Sequence, residues 1–208
     1  MKKHTFLGIL FFSGLWGISE AVLGDMMYSR GMIMPASIPL TIIGFVILTF
    51  ARAYFPQLGI ATVIAALTML YKFFNSPFFG CHLLGILIMG ISYDIFINAS
   101  LMKNRPLKAA LAVLGNYTLF AVTITYVFRY EHWQQESIRK VFDHIGIGCI
   151  TALVCAVIIP LCMRAAGNLK RKLATPVTWR IPWAVGSLSL VTVGLWGLQV
   201  AAYMTNIK

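Results

Sequence analysis

An all-α bundle of membrane-spanning helices is the fold class this chain predicts, on three observations. Its residues are 59% hydrophobic and 11% charged, with a mean hydropathy of +0.82, well outside the profile of a soluble domain. Apolar runs of about 17 to 25 residues, each long enough to cross ~30 Å of hydrocarbon, recur along nearly the whole length. The Lys and Arg residues behind the formal charge of +11 gather between those runs, where they set orientation rather than bind nucleic acid. Seven spans are expected, with residues 1–180 holding six and residues 181–208 adding a seventh at the C-terminus.

The first span covers Thr5 to Leu23. Met1-Lys-Lys-His resembles a secretory leader, but the run carries Glu20, has no small-x-small cleavage site and continues at full spanning length, so it reads as a retained helix. Ser13, Gly17, Glu20 and Gly24 follow at steps of three or four and share one face. Small residues admit a close neighbour. Glu20, set among them, reads either as a hydrogen-bonded carboxyl in a packing seam or as a ligand contact.

Asp25 to Ser37 is read as a loop holding Met26, Met27, Met32 and Met34. Thioethers at that density suit a packed lid, or soft ligation of Cu(I). Pro39 opens the second span, which ends near Tyr54, and the residues from Phe55 to Gly59 make a tight turn. The third span, Ile60 to Phe74, is short.

A turn with Pro77 and Gly80 then delivers Cys81 and His82 to the mouth of the fourth span, which extends to Met102 and carries Asp94. Ionisable groups in a lipid-bounded helix face the protein interior, a wet cavity or a ligand. His82 and Asp94 are twelve residues apart, which separates them by ~18 Å along the axis and about 120° around it. They do not share one small site. Gly90, Asp94 and Asn98 do share a face, and Asp94 is expected to pair with Asn116 and Tyr117 on the fifth span, Leu107 to Phe128.

Residues Arg129 to His144 are the longest polar stretch. With Tyr130, Trp133, Ile138 and Phe142 they suit a helix lying in the membrane interface. The sixth span runs from Ile145 to Met163, with Pro160 near its end, then a basic connection from Arg164 to Arg180, then the last span, Trp183 to Met204. Cys149, Cys155 and Cys162 lie within the sixth span as small buried residues; with Cys81 they form no CxxC or zinc-finger spacing.

Basic residues on alternate sides decide orientation. A cytoplasmic amino terminus gathers Lys2, Lys3, Arg52, Lys103, Arg105, Lys108, Arg164, Lys170, Arg171, Lys172 and Arg180 inside, leaving Arg30, Lys72, Arg129, Arg139, Lys140 and Lys208 outside. The positive-inside rule therefore favours this arrangement in a plasma (inner) membrane. Glu20, the Met-rich loop, Asn75 to His82 and Arg129 to His144 then meet the outer face.

No GxSxG, HExxH or paired-histidine pattern occurs, and adjacent Cys81 and His82 point in different directions. An enzyme, a cofactor and a nucleic-acid partner are not expected. Capture of a small solute fits better, in a pocket with Glu20, Asn75 and His82 as polar groups and Trp16, Phe78 and Phe79 as apolar walls. The alternatives are a soft-metal permease using Cys81, His82 and the four methionines, and a structural membrane subunit without ligand.

Six hydrophobic helices with cytoplasmic entry and three outer loops able to cap a pocket resemble the S component of energy-coupling factor (ECF) transporters, over Met1 to about Arg180. The resemblance implies a subunit that captures a vitamin or metal ion from outside and docks on a transmembrane coupling subunit driven by paired ATPases. This chain has no P-loop of its own. It departs from the family in having Ser13 and Gly17 where an alanine-rich docking pattern stands on the first helix, and in its seventh span. No family-specific binding residue carries over.

Overall fold

Long apolar runs separated by short polar turns leave the chain little choice but to pack helix against helix. A computed structural model describes residues 3–28, 33–73, 80–99, 102–134, 137–173 and Gly186. The helices are α1 (Lys3–Tyr28), α2 (Ile33–Tyr54), α3 (Ile60–Phe73), α4 (Gly80–Tyr93), α5 (Arg105–Val122), a single-turn α6 (Glu131–Gln134) and α7 (Ser137–Leu173). Wider π-type turns extend α4 over Asp94–Ala99 and α5 over Thr123–Val127. Among the described residues there is no strand, and five helical stretches are long and apolar enough to cross a membrane, with Ile60–Tyr71 a shorter apolar helix. The protein is a multi-pass membrane protein of helices.

Turn chemistry sets the register of neighbours. Gly59 takes φ +86°, a left-handed value that favours glycine, and its carbonyl accepts from Val63 N at 3.0 Å to start α3. Asn104 caps α5, its side chain accepting from Leu107 N at 3.2 Å, with Pro106 in the first turn where its missing N–H costs nothing. The α1 and α3 helices run side by side in the same direction: Thr68 Oγ1 donates to Ser13 O at 3.2 Å, and a Cβ on Gly17 would lie 2.8 Å from Tyr71 Cβ. The small-residue face of α1 is therefore a packing seam for α3, as its spacing predicts.

Helix α4 returns antiparallel along α3, brought close because Gly90 has no side chain. A Cβ there would come within 2.5 Å of Ala65 Cβ and 2.8 Å of Ala61 O. Helices α5 and α7 form the other tight pair, with Tyr117 against Gly148. The core runs through Trp16, Phe45, Ile64, Tyr93, Val113, Tyr117 and Ile159. The bundle thus has two ends: an amino end, with the start of α1, the α2–α3 turn, the end of α4 and the start of α5, and a far end, with the end of α1, the start of α2, the end of α3, the start of α4 and α6.

Several boundaries differ from expectation. Helices α1 and α2 reach Tyr28 and start at Ile33, so Met26, Met27 and Met34 are helical rather than in a loop; Met32 lies outside the described residues. The interfacial helix expected over Arg129 to His144 is replaced by α6 and the first turns of α7. Pro160 does not close the last described span, because α7 continues through it to Leu173, absorbing half of the predicted basic connection. At 1.5 Å per residue, the 37 residues of α7 span about 55 Å, so it projects beyond the hydrocarbon. Its exposed Ile150, Leu153, Val157 and Leu161 form a ridge suited to lipid. Cys155 is buried on the opposite side, whereas Cys149, six residues earlier and turned away from it, is exposed. Apart from Gly186, the seventh span, Trp183 to Met204, lies outside the described residues.

Candidate functional site

At the far end, Glu20 is 6% exposed and Trp16 fully buried. Their spacing of one helical turn lets the indole Nε1–H donate to Glu20 Oε1 at 3.2 Å. A carboxylate inside an apolar bundle needs such donors, since burial without them costs several kcal/mol. Below this pair the packing is dense. A Cβ on Gly44 of α2 would meet Met89 Sδ at 2.6 Å and the Trp16 ring at 2.9 Å, so α1, α2 and α4 touch at mid-level.

Cys81 and His82 occupy the first turn of α4, both partly buried. They share the far end with Glu20, on a helix whose Met89 packs at Gly44 of α2, where Trp16 of α1 also reaches. Asn75, Phe78 and Phe79 lie outside the described residues. Among the described residues no group of three His, Cys, Asp or Glu side chains is placed to hold a metal ion; Cys81 and His82 alone supply two donors that diverge around the helix.

Sequence reading missed an aromatic cluster at the same end. The His144 ring of α7 lies 4.8 Å from Tyr117, 5.1 Å from Phe120 and 5.3 Å from Trp133, and Trp133 meets Phe120 edge-on at 5.6 Å. Edge-to-face geometry at these separations is the favoured one for aromatic pairs. Gly85, one turn beyond His82, brings the α4 backbone to this cluster: a Cβ there would sit 3.7 Å from the Phe120 ring. Trp133 is partly buried against this cluster. Nothing in the linear order joins residues 117, 120, 133 and 144 until α5 and α7 pair.

Asp94 does not pair with Asn116 and Tyr117. It accepts from Thr62 N at 2.9 Å, Thr62 Oγ1 at 2.7 Å and Asn98 Nδ2 at 2.6 Å, so its carboxylate caps the start of α3 from across the interface. The amide and the helix dipole at that terminus both favour a negative group. The reason lies in Gly90: it turns the Gly90–Asp94–Asn98 face to α3, away from α5. Tyr117 instead joins a hydroxyl cluster, within 3.3 Å of Thr41 and Thr151 and 3.5 Å of Ser37. Ser92 Oγ and Asn116 Oδ1 are buried without a hydrogen-bond partner among the described residues.

The two best-formed cavities among the described residues lie at the amino end. One is a narrow cleft by Leu48, Arg52, Phe55 and Tyr93; the other, of about 350 Å³, lies between α2, the start of α5 and the last turns of α7. No family model matches the chain, and no curated protein or solved structure matches it.

Proposed function

We propose that this chain is a transport protein that captures a small solute at the far end of the bundle, and that it serves as the substrate-binding subunit of an ECF-type importer. The observation that carries the reading is the Glu20–Trp16 pair, a buried carboxylate and indole at the end of the bundle where α4 begins with Cys81 and His82. Intramembrane acids are costly and mark ligand or ion sites by default. In this proposal the six-helix core faces its far end outward, the amino terminus is cytoplasmic in the plasma (inner) membrane, and the basic amino end obeys the positive-inside rule. Glu20, Asn75 and His82 orient the solute, while Trp16 and Phe79 wall it. The chain is not an enzyme and carries no cofactor. A coupling subunit with paired ATPases supplies the energy.

The second reading, a structural membrane subunit without ligand, is favoured by the close packing of Trp16, Gly44 and Met89 beneath Glu20. Native mass spectrometry on gently extracted protein, with metal analysis of the same sample, separates the readings. Capture predicts a bound small molecule that Glu20→Gln releases. A metal lost on substitution of both Cys81 and His82 supports the soft-metal permease, with Met26, Met27, Met32 and Met34 as further donors. Protein free of solute and metal, with no ATPase partner on mild pull-down, supports the structural subunit.

A further inference from the structure

The amino end holds the feature that solute capture at the other end leaves unused. Five cationic side chains line the 350 Å³ cavity: Arg52 from α2, Lys103, Arg105 and Lys108 from the turn and first residues of α5, and Lys170 from α7. Among the described residues the remaining lining is Thr49, Ala53, Met102, Met163 and Gly167, with no carboxylate. The positive-inside rule accounts for basic residues at one end of a bundle. It does not account for their convergence on one concavity from three separate segments of the chain.

Among the described residues the carboxylates stand off this wall, and Lys108 makes a further interaction of its own. The chain has six acidic residues. Glu20 and Asp25 are on the last turns of α1, and Glu131 and Asp143 on α6 and the start of α7, all at the far end; Glu136 lies outside the described residues. Asp94, the acid nearest the amino end, is already engaged by Thr62 and Asn98. Arg52 is anchored by donating from Nη1 to Ile97 O at 2.9 Å, a carbonyl in the π-type turn, which holds its guanidinium at the cavity wall. The amino terminus of α5, the positive end of its dipole, opens on the same space.

We propose that this cavity binds a phosphate-bearing anion. Arg forks and Lys ammonium groups match phosphate oxygens, and basic pockets between membrane helices hold anionic headgroups. The volume equals roughly twelve waters at ~30 Å³ each, room for a phosphate and a small polar substituent. The anion is either the headgroup of an acidic phospholipid, with its chains along exposed Leu107 and Leu161, or a soluble phosphate compound. The inference is independent of solute capture at the far end.

The test uses the full chain in nanodiscs of phosphatidylcholine alone or with one-fifth phosphatidylglycerol, and in detergent with inorganic pyrophosphate. Lipid retention by native mass spectrometry and the unfolding midpoint are read. Lys103 and Arg105 are exposed, so Lys103→Gln with Arg105→Gln leaves the core intact. The charge-matched control, Arg164→Gln with Arg171→Gln, removes two exposed cations of the same end of α7 that do not line the cavity. Retained phosphatidylglycerol weakened about thirtyfold by the first pair only identifies a lipid headgroup. Stabilisation by pyrophosphate, lost in the first pair only, identifies a soluble phosphate. Equal losses in both pairs, or no response to either probe, overturn the proposal. So does lack of response combined with a Lys103 shielded from acetylation in native membranes but not after purification, an outcome that makes the surface a protein dock.

Discussion

The two ends of the bundle handle charge in opposite ways. At the far end a single deep carboxylate, Glu20, is held by an indole from its own helix above tightly packed side chains, and aromatic rings close around His144. At the amino end five cations surround a concavity whose lining includes no carboxylate, and Asp94 is committed to capping α3. The far end has arranged its polarity internally. The amino end gathers its cations around a space that the proposed anion would fill. A buried polar group is cheap only when its partners are built in; Lys103, Arg105 and Lys170, exposed to solvent, carry no such requirement.

If Asp94 is a structural cap, removing it should have the largest effect. Asp94→Ala leaves Thr62 N and Oγ1 without their acceptor inside the bundle, and unfolding in detergent should show a loss of about 3 kcal/mol; Asp94→Asn, which keeps one acceptor, should lose less than half of that. Wild-type stability in Asp94→Ala would mean that the acid is held for function instead. Next comes the α3–α4 seam: Gly90→Ala forces a Cβ against Ala65 and the Ala61 carbonyl, at a cost of about 2 kcal/mol for overpacking, whereas Gly146→Ala, with nothing within 4 Å, should gain up to ~1 kcal/mol of helix propensity.

Glu20 sharpens the contrast from the other end. Glu20→Ala strands the buried Trp16 N–H and should cost about 1–2 kcal/mol, while Glu20→Gln preserves an acceptor and should stay within ~0.5 kcal/mol of the parent yet release a captured solute. A Gln variant that unfolds early and keeps its solute would reverse the roles of stability and binding assigned here. The smallest effect is expected at the end of α5, where Arg129 adopts φ 47° and Tyr130 N donates back to Ile124 O at 3.1 Å. This is a left-handed helix terminus normally given to glycine. Arg129→Gly should raise stability by up to ~1 kcal/mol, read as a higher midpoint; a fall would mean that the arginine side chain contributes more than its backbone strain costs.

Much of the architecture was legible residue by residue. Apolar run lengths located the helices, Gly59 the α2–α3 turn, and the Ser13–Gly17 spacing a face open to a close neighbour, whereas α5 begins at Arg105 rather than at the expected Leu107. Helix ends were less legible, because in apolar surroundings the chain stays helical past the last hydrophobic residue: leaving its amides unpaired there costs more than continuing. That is why α1 runs on to Tyr28, and why α7 passes through Pro160 to Leu173.

What the order of residues determined by itself was class: a membrane helix bundle, its bases more numerous on one side than on the other, with Glu20 on a small-residue face. Only tertiary structure decided partners. Whether Asp94 met Thr62 or Asn116, whether His144 joined Phe120 and Trp133, and whether Arg52, Arg105 and Lys170 stood around one cavity all depended on how far each helix turned about its own axis. That rotation is set by side-chain fit at contacts such as Gly90 on Ala61 and Gly148 on Tyr117. Periodicity within one helix names a face; it carries no information about which neighbour that face will meet.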